Sequence, residues 1–303
     1  MTVRRSGPTA DPTASTEPTL RPILVRMPQI ASVVLLLLAV GCAATAPELR
    51  PPSSEDHLLQ LVEQIRRADY AGDRPALSEL HGALVAAPAG TAPRSLILYW
   101  QGFALWRRAI NGFNETPTPT DLESDVVAAS ADFEAALRED PRLVDAQAAL
   151  AACIGLRMFL HKTVDDEMRA MLERVKALLA EAQALEPENP RLLWVRGPME
   201  WFTPKGSPDD MLDAHQARSI ATYQRALEGL PGTLRSGPEP LRPTWGEPEL
   251  HMSLGWAYSK KRVPDLAQAE LHARKALALV PSWHYVRDIL LPQIESARGT
   301  AAR

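Results

Sequence analysis

The sequence predicts an all-α chain assembled from tandem helix pairs. Three observations carry that expectation. First, a large residue, an alanine three positions later and a proline five after that recur along the chain. The copies are Leu80–Ala83–Pro88, Phe133–Ala136–Pro141, Leu179–Ala182–Pro187 and Tyr223–Ala226–Pro231, with a smaller first residue in Ala273–Ala276–Pro281. They follow one another at intervals of 44–53 residues, and a fixed period of this kind marks a repeat architecture. Second, segments that set a small residue among large apolar ones alternate with these copies: "YWQGFALW", "ALAACIG", "LLWVRGPMEW" and "SLGWAYS". Third, alanine is abundant and β-branched runs are few after residue 50. Residues three and four apart share a helix face. An alanine there lets a neighbouring helix approach, and the proline ends the helix because it cannot continue the hydrogen-bond ladder.

The chain opens on a leader. An apolar run of 11 residues, Ile30 to Val40, follows Arg21 and Arg26. A membrane-spanning helix needs about 20, whereas 7–15 apolar residues behind positive charge form a signal-peptide core. The Pro/Thr-rich stretch before it leaves Met1 and Met27 both open as the start. The segment Ala39-Val40-Gly41-Cys42 resembles the lipobox of bacterial lipoproteins, with Ala39 where that family usually has leucine. The resemblance implies lipidation of Cys42. Ordinary cleavage after Ala44-Thr45-Ala46 competes with it, against the obstacle of Pro47, and so does a retained anchor. Residues 1–41 thus read as a signal peptide with a long leader, 42–53 as the lipid-attachment Cys and a Pro-containing tether, and 54–303 as a helical solenoid. Each buried CH₂ of an acyl chain contributes ~0.8 kcal/mol, so several chains hold where one would not.

Periodicity then predicts helices at about 55–70, 74–87, 93–110, 121–139, 143–160, 165–186, 190–201, 209–229, 247–260 and 265–279. Thr120 with Glu123 forms a capping-box pattern before the fourth. Asp165-Asp166-Glu167 puts negative charge at the start of the sixth, where the helix dipole favours it. "WHYVRDILLPQI" supplies a last helix, 283–297, as the cap that a solenoid needs.

Leu254-Gly255 and Tyr258, followed by Ala269, Ala276 and Pro281, resemble the tetratricopeptide repeat (TPR); "LLWVRGPMEW" matches it as well. The likeness runs over about residues 54–282. It implies a right-handed superhelical solenoid of about five helix pairs plus a C-terminal capping helix. These units exceed the 34-residue repeat. From the small residue of the first helix to the closing proline they count 39, 36, 34 and 26 residues. The excess falls between the two helices of a pair, as long loops or as longer helices. A further insertion, "GTLRSGPEPLRPTWGEP", precedes the last pair.

No catalytic signature stands out: there is no HExxH, no Gly-rich phosphate loop and no serine nucleophile elbow. The seven histidines show no ligand spacing, and Cys153 lies in the apolar "LAACIGL" as a structural thiol. Net charge is −4, and no Lys/Arg stripe interleaves with aromatics, which argues against nucleic acid. The expectation is a non-enzyme with no cofactor and no metal.

In the TPR family one face of the first helices lines a concave groove. Carried onto this chain, that face holds Tyr99, Phe103, Trp106, Trp194, Trp201, Met252 and Trp256, with Ala148 and Ala152 between. Two readings stay open: inserted loops fold back and bury these rings, or the rings form a site for a protein partner or a small apolar ligand. The functional expectation is a protein–protein interaction scaffold of the bacterial cell envelope, membrane-bound through its lipid alone. Ala43 does not resemble the Asp that retains lipoproteins in an inner membrane, so an outer membrane is favoured where the cell has two. The alternative is a lipoprotein of the kind that accompanies TRAP-type solute transporters and binds a small organic ligand.

Overall fold

The computed structural model describes residues 54–88, 90, 92–161, 163–233 and 241–301. The leader, Cys42 and the tether lie outside the described residues. Among the described residues the chain is helical throughout, with no strand. The helices are α1 (Ser54–Ala71), α2 (Arg74–Val85), α3 (Arg94–Gly112), α4 (Leu122–Glu139), α5 (Val144–Leu160), α6 (Asp166–Leu185), α7 (Pro190–Trp201), α8 (Asp209–Thr233), α9 (Glu247–Lys260) and α10 (Leu266–Leu279). A π-helical stretch, Tyr285–Leu290, then runs into α11 (Leu291–Ala301).

Most boundaries fall within two residues of the periodicity reading. There are exceptions. Helix α8 passes through Pro231 to Thr233 instead of stopping at residue 229. The expected last helix is two segments in one line, the first wound as a π-helix. The capping box at Thr120 and Glu123 does not form. Asp121 is the N-cap of α4, and its carboxylate is turned to Arg74 and Arg108 instead of to the helix's own N–H groups. Asp165 does cap α6, accepting from the Met168 N–H at 2.9 Å. Part of the excess repeat length sits in the helices, since α3, α4 and α6 run to 19, 18 and 20 residues.

From α3 onward, helices pack most extensively within successive hairpins: α3 with α4, α5 with α6, α7 with α8, α9 with α10; α2 packs on both α1 and α3. First helices also touch in sequence, α1 to α3 to α5 to α7. The alternating small and large residues explain the pairing. A Cβ on Gly102 would stand 3.0 Å from the Phe133 ring and from the Ala129 carbonyl. One on Gly197 would stand 2.1 Å from the Tyr223 ring, and one on Gly255 would press on the Ala273 and Ala269 backbone. The bare glycine of the first helix is thus the socket for the large residue, or the close backbone, of the second.

The row of hairpins returns on itself. Tyr70, at the end of α1, shares an apolar cluster with Ala269, Ala273 and Ala276 of α10 and with Trp283, Val286 and Leu290. Its ring meets Trp283 edge-on at 5.0 Å. Its hydroxyl donates to Glu249 Oε1 of α9 at 2.7 Å, across 179 residues of sequence. The first hairpin therefore touches the last.

The glycine sockets predict a contrast. Gly197→Ala overpacks against Tyr223 and should lower the unfolding free energy by ~2 kcal/mol. Gly82→Ala, on an exposed turn of α2 with open space around it, should raise it by ~0.5–1 kcal/mol. Urea denaturation of the two variants checks both signs.

Candidate functional site

Helix α3 is buried on nearly every side, from Ser95 through Gly112. A helix in that position must satisfy its polar groups internally, and apart from Arg108 Nε, which is buried without a partner, the buried side chains of α3 find theirs. Gln101 donates to the Leu84 carbonyl at 3.1 Å. Asn111 donates to Asp69 Oδ1 at 2.9 Å. Arg107 Nε donates to Asp69 Oδ2 at 2.8 Å.

The aromatic face expected of the first helices splits into two parts. Tyr99, Phe103 and Trp106 are core, at 0%, 1% and 1% exposure. What covers them is Trp245, from residues 241–246, which lead directly into α9. Its ring lies 5.6 Å from Phe103, 6.0 Å from Trp106 and 5.5 Å from Trp194, mostly steeply tilted or edge-on. Edge-to-face pairs at such distances contribute beyond their buried area. The Trp245 indole N–H donates to the Tyr99 hydroxyl at 2.8 Å. Trp100 donates to the Leu241 carbonyl at 2.8 Å, and Arg191 to the Trp245 carbonyl at 3.2 Å. The segment is thus pinned by both side chain and backbone. The loops within the hairpins, expected to fold back here, do not do this job; the insertion before the last pair does.

Gly246 ends the segment at φ +142°, a backbone conformation that glycine adopts without strain. Its N–H donates to Glu249 Oε2 at 2.9 Å, the reach-back half of a capping box. Glu249 thereby accepts from Gly246 on one oxygen and from Tyr70 on the other. Burial pushes its carboxyl up, against the pull of Arg107. Burial also opposes charge on Arg107, yet Asp69 and Glu249 outweigh it and hold the guanidinium protonated. That guanidinium carbon lies 5.9 Å from the ring centres of Phe103, Trp106 and Trp194.

The second part of the face reaches the surface. Trp201 and Trp256 are half-buried, with ring centres 5.0 Å apart, and Met252 is half-buried on α9 one turn from Trp256. Trp194 stands between the two parts: half-buried, packed on Trp106 and Trp245, and donating to Ser253 Oγ at 2.9 Å. Cys42 lies outside the described residues. Cys153 is a free, fully buried thiol whose acidity burial suppresses. No group of three or more His, Cys, Asp or Glu able to hold a metal occurs among the described residues. Among the described residues, no helix is long and apolar enough to cross a membrane.

Residue spacing gave no sign of several of these groups. Trp245 sits in a non-periodic insertion, Asp69 and Arg107 meet where α1 packs on α3, and Tyr70 meets Glu249 only through the closure. His251 and His272, which had looked scattered, face each other across α9 and α10 with Nδ1 atoms 3.0 Å apart. No family model matches the chain, and no curated protein matches it either.

Trp245→Ala should cost ~3–5 kcal/mol, the scale for truncating a buried aromatic. Trp245→Phe should cost less but still destabilise, since it leaves the Tyr99 hydroxyl without its donor. Chemical denaturation of the pair separates the packing from the hydrogen bond.

Proposed function

We propose that this chain is a non-enzymatic interaction scaffold of the bacterial cell envelope, tethered through lipid on Cys42, that presents the Trp201–Met252–Trp256 patch to a protein partner. The observation that carries the reading is the state of those two tryptophans. They stand in contact at 5.0 Å and half-buried on neighbouring hairpins, while Tyr99, Phe103 and Trp106 are sealed and the half-buried Trp194 is covered by Trp106 and Trp245. Tryptophan is a favoured interface anchor because a partner can cover a large apolar area at little entropic cost. The TPR-like repeat pattern supports the scaffold class. The alternative, a small apolar ligand held deep in a groove, has less room. Trp245 fills the space between Phe103, Trp106 and Trp194 where such a ligand would lie.

In-cell cross-linking and affinity recovery test the patch. A Trp201→Ala/Trp256→Ala variant with unchanged helical circular dichroism should lose the captured partner, with binding weakened at least ~10-fold. An unchanged set of partners counts against the patch. For the tether, Cys42→Ser should move the protein from the membrane pellet to the soluble fraction and abolish acyl labelling. Retention in the pellet would contradict lipid attachment at that residue.

A further inference from the structure

The last hairpin is the one that meets the first, and it carries a polar contact that the closure does not use. His251 of α9 and His272 of α10 are each only 9% exposed. Their Nδ1 atoms are 3.0 Å apart and their ring centres 5.2 Å apart. The centre-to-centre distance is nearly the N···N distance plus two ring radii, so the nitrogens point at each other. Converging lone pairs would hold a metal ion between them; opposed ones share a single proton. One ring donates Nδ1–H and the other accepts, which requires the acceptor to be neutral. Tyr258 of α9 stacks on the His272 ring at 5.8 Å, and Gln224 of α8 donates to the Tyr258 hydroxyl at 3.2 Å.

We propose that the His251–His272 pair is an acid-sensitive staple that holds α9 to α10, so that acidification loosens the last hairpin before the rest of the molecule. Protonating both rings puts a hydrogen on each of two facing Nδ1 atoms, so the bond is lost and two cations abut. Of the charged and titratable groups around the pair, Lys275 of α10 adds a third positive charge, while Tyr258, near Asp265, carries none at neutral pH. Burial holds each imidazole down at about 4, His251 being lowered further by His272 and both by Lys275. A histidine lowered in the folded state leaves the unfolded or opened chain binding more protons below pH ~6.5, so its stabilising contribution is full above ~6.5 and falls toward ~4. Glu249, also on α9, has the opposite sign: its carboxyl is raised by burial, so acid favours its buried state and holds the α1 side of the helix. The release is therefore directed at α10.

Amide hydrogen exchange resolved by peptide tests this on the whole protein. Between about pH 7.5 and pH 5, after correction for intrinsic rates, exchange in α9 and α10 should rise ~10-fold or more, with α3–α5 unchanged. His272→Asn keeps an amide oxygen to accept from His251 Nδ1–H but cannot become a second cation. It should cut the rise to less than ~3-fold, and the mirror variant His251→Asn serves if the first does not fold. An equal rise along every helix, no rise in α9 and α10, or an undiminished rise in the asparagine variants would each overturn the proposal.

Discussion

The arrangement depends on covering α3. A first helix in a row of hairpins normally keeps one flank against its partner and another free, but α3 is buried on nearly every side from Ser95 to Gly112. Its Tyr99, Phe103 and Trp106 carry a large apolar area, and leaving three such rings in water would forfeit several kcal/mol of burial. Trp245 supplies the missing cover, and the backbone of the same segment receives Trp100 and Arg191. Once that segment crosses the face, α9 follows directly at Gly246 and Glu249 reaches Tyr70. Closure of the first hairpin on the last thus follows from the same six residues that seal α3.

The buried charges fit that account. Asp69 and Arg107 pair at 2.8 Å with both side chains nearly inaccessible, and Asn111 donates to the same carboxylate. A buried pair of this kind adds little stability over an apolar substitute, but removing one partner strands the other. Its location at the meeting of α1, α3 and α9 makes it a determinant of which helices meet there. Glu249 is the third member, and it is tied to both the first helix and the covering segment.

The helices and their pairing were legible in the sequence because their causes are local. Proline stops, Pro231 excepted, and small residues set among large ones act within one hairpin, while the seating of Phe133 on Gly102 and of Tyr223 on Gly197 is seen in the structure. The closure was not legible. Trp245 lies in a stretch rich in proline and glycine with no period to assign it a face. Tyr70 and Glu249 are 179 residues apart, and no local pattern links them. The histidine pair was not legible either: it follows only once the structure sets Gly255 against Ala269 and Ala273, which places the turn holding His251 beside His272. The aromatic residues expected on one face divide into a sealed part, Tyr99, Phe103 and Trp106, and a half-buried Trp201–Trp256 part, and that division depends on the insertion. It leaves the functional reading on the half-buried part and moves the sealed rings to the core.

The most direct test of the account is a distance across the closure. Ala71 and Ser282 are both exposed and flank the Tyr70–Trp283 contact. Spin labels on Ala71→Cys and Ser282→Cys, with Cys42 and Cys153 changed to serine, report that separation by pulsed electron spin resonance. The account predicts one short, narrow distance distribution. A broad distribution at long distance would mean an open row of hairpins, and would contradict the covering role assigned to Trp245.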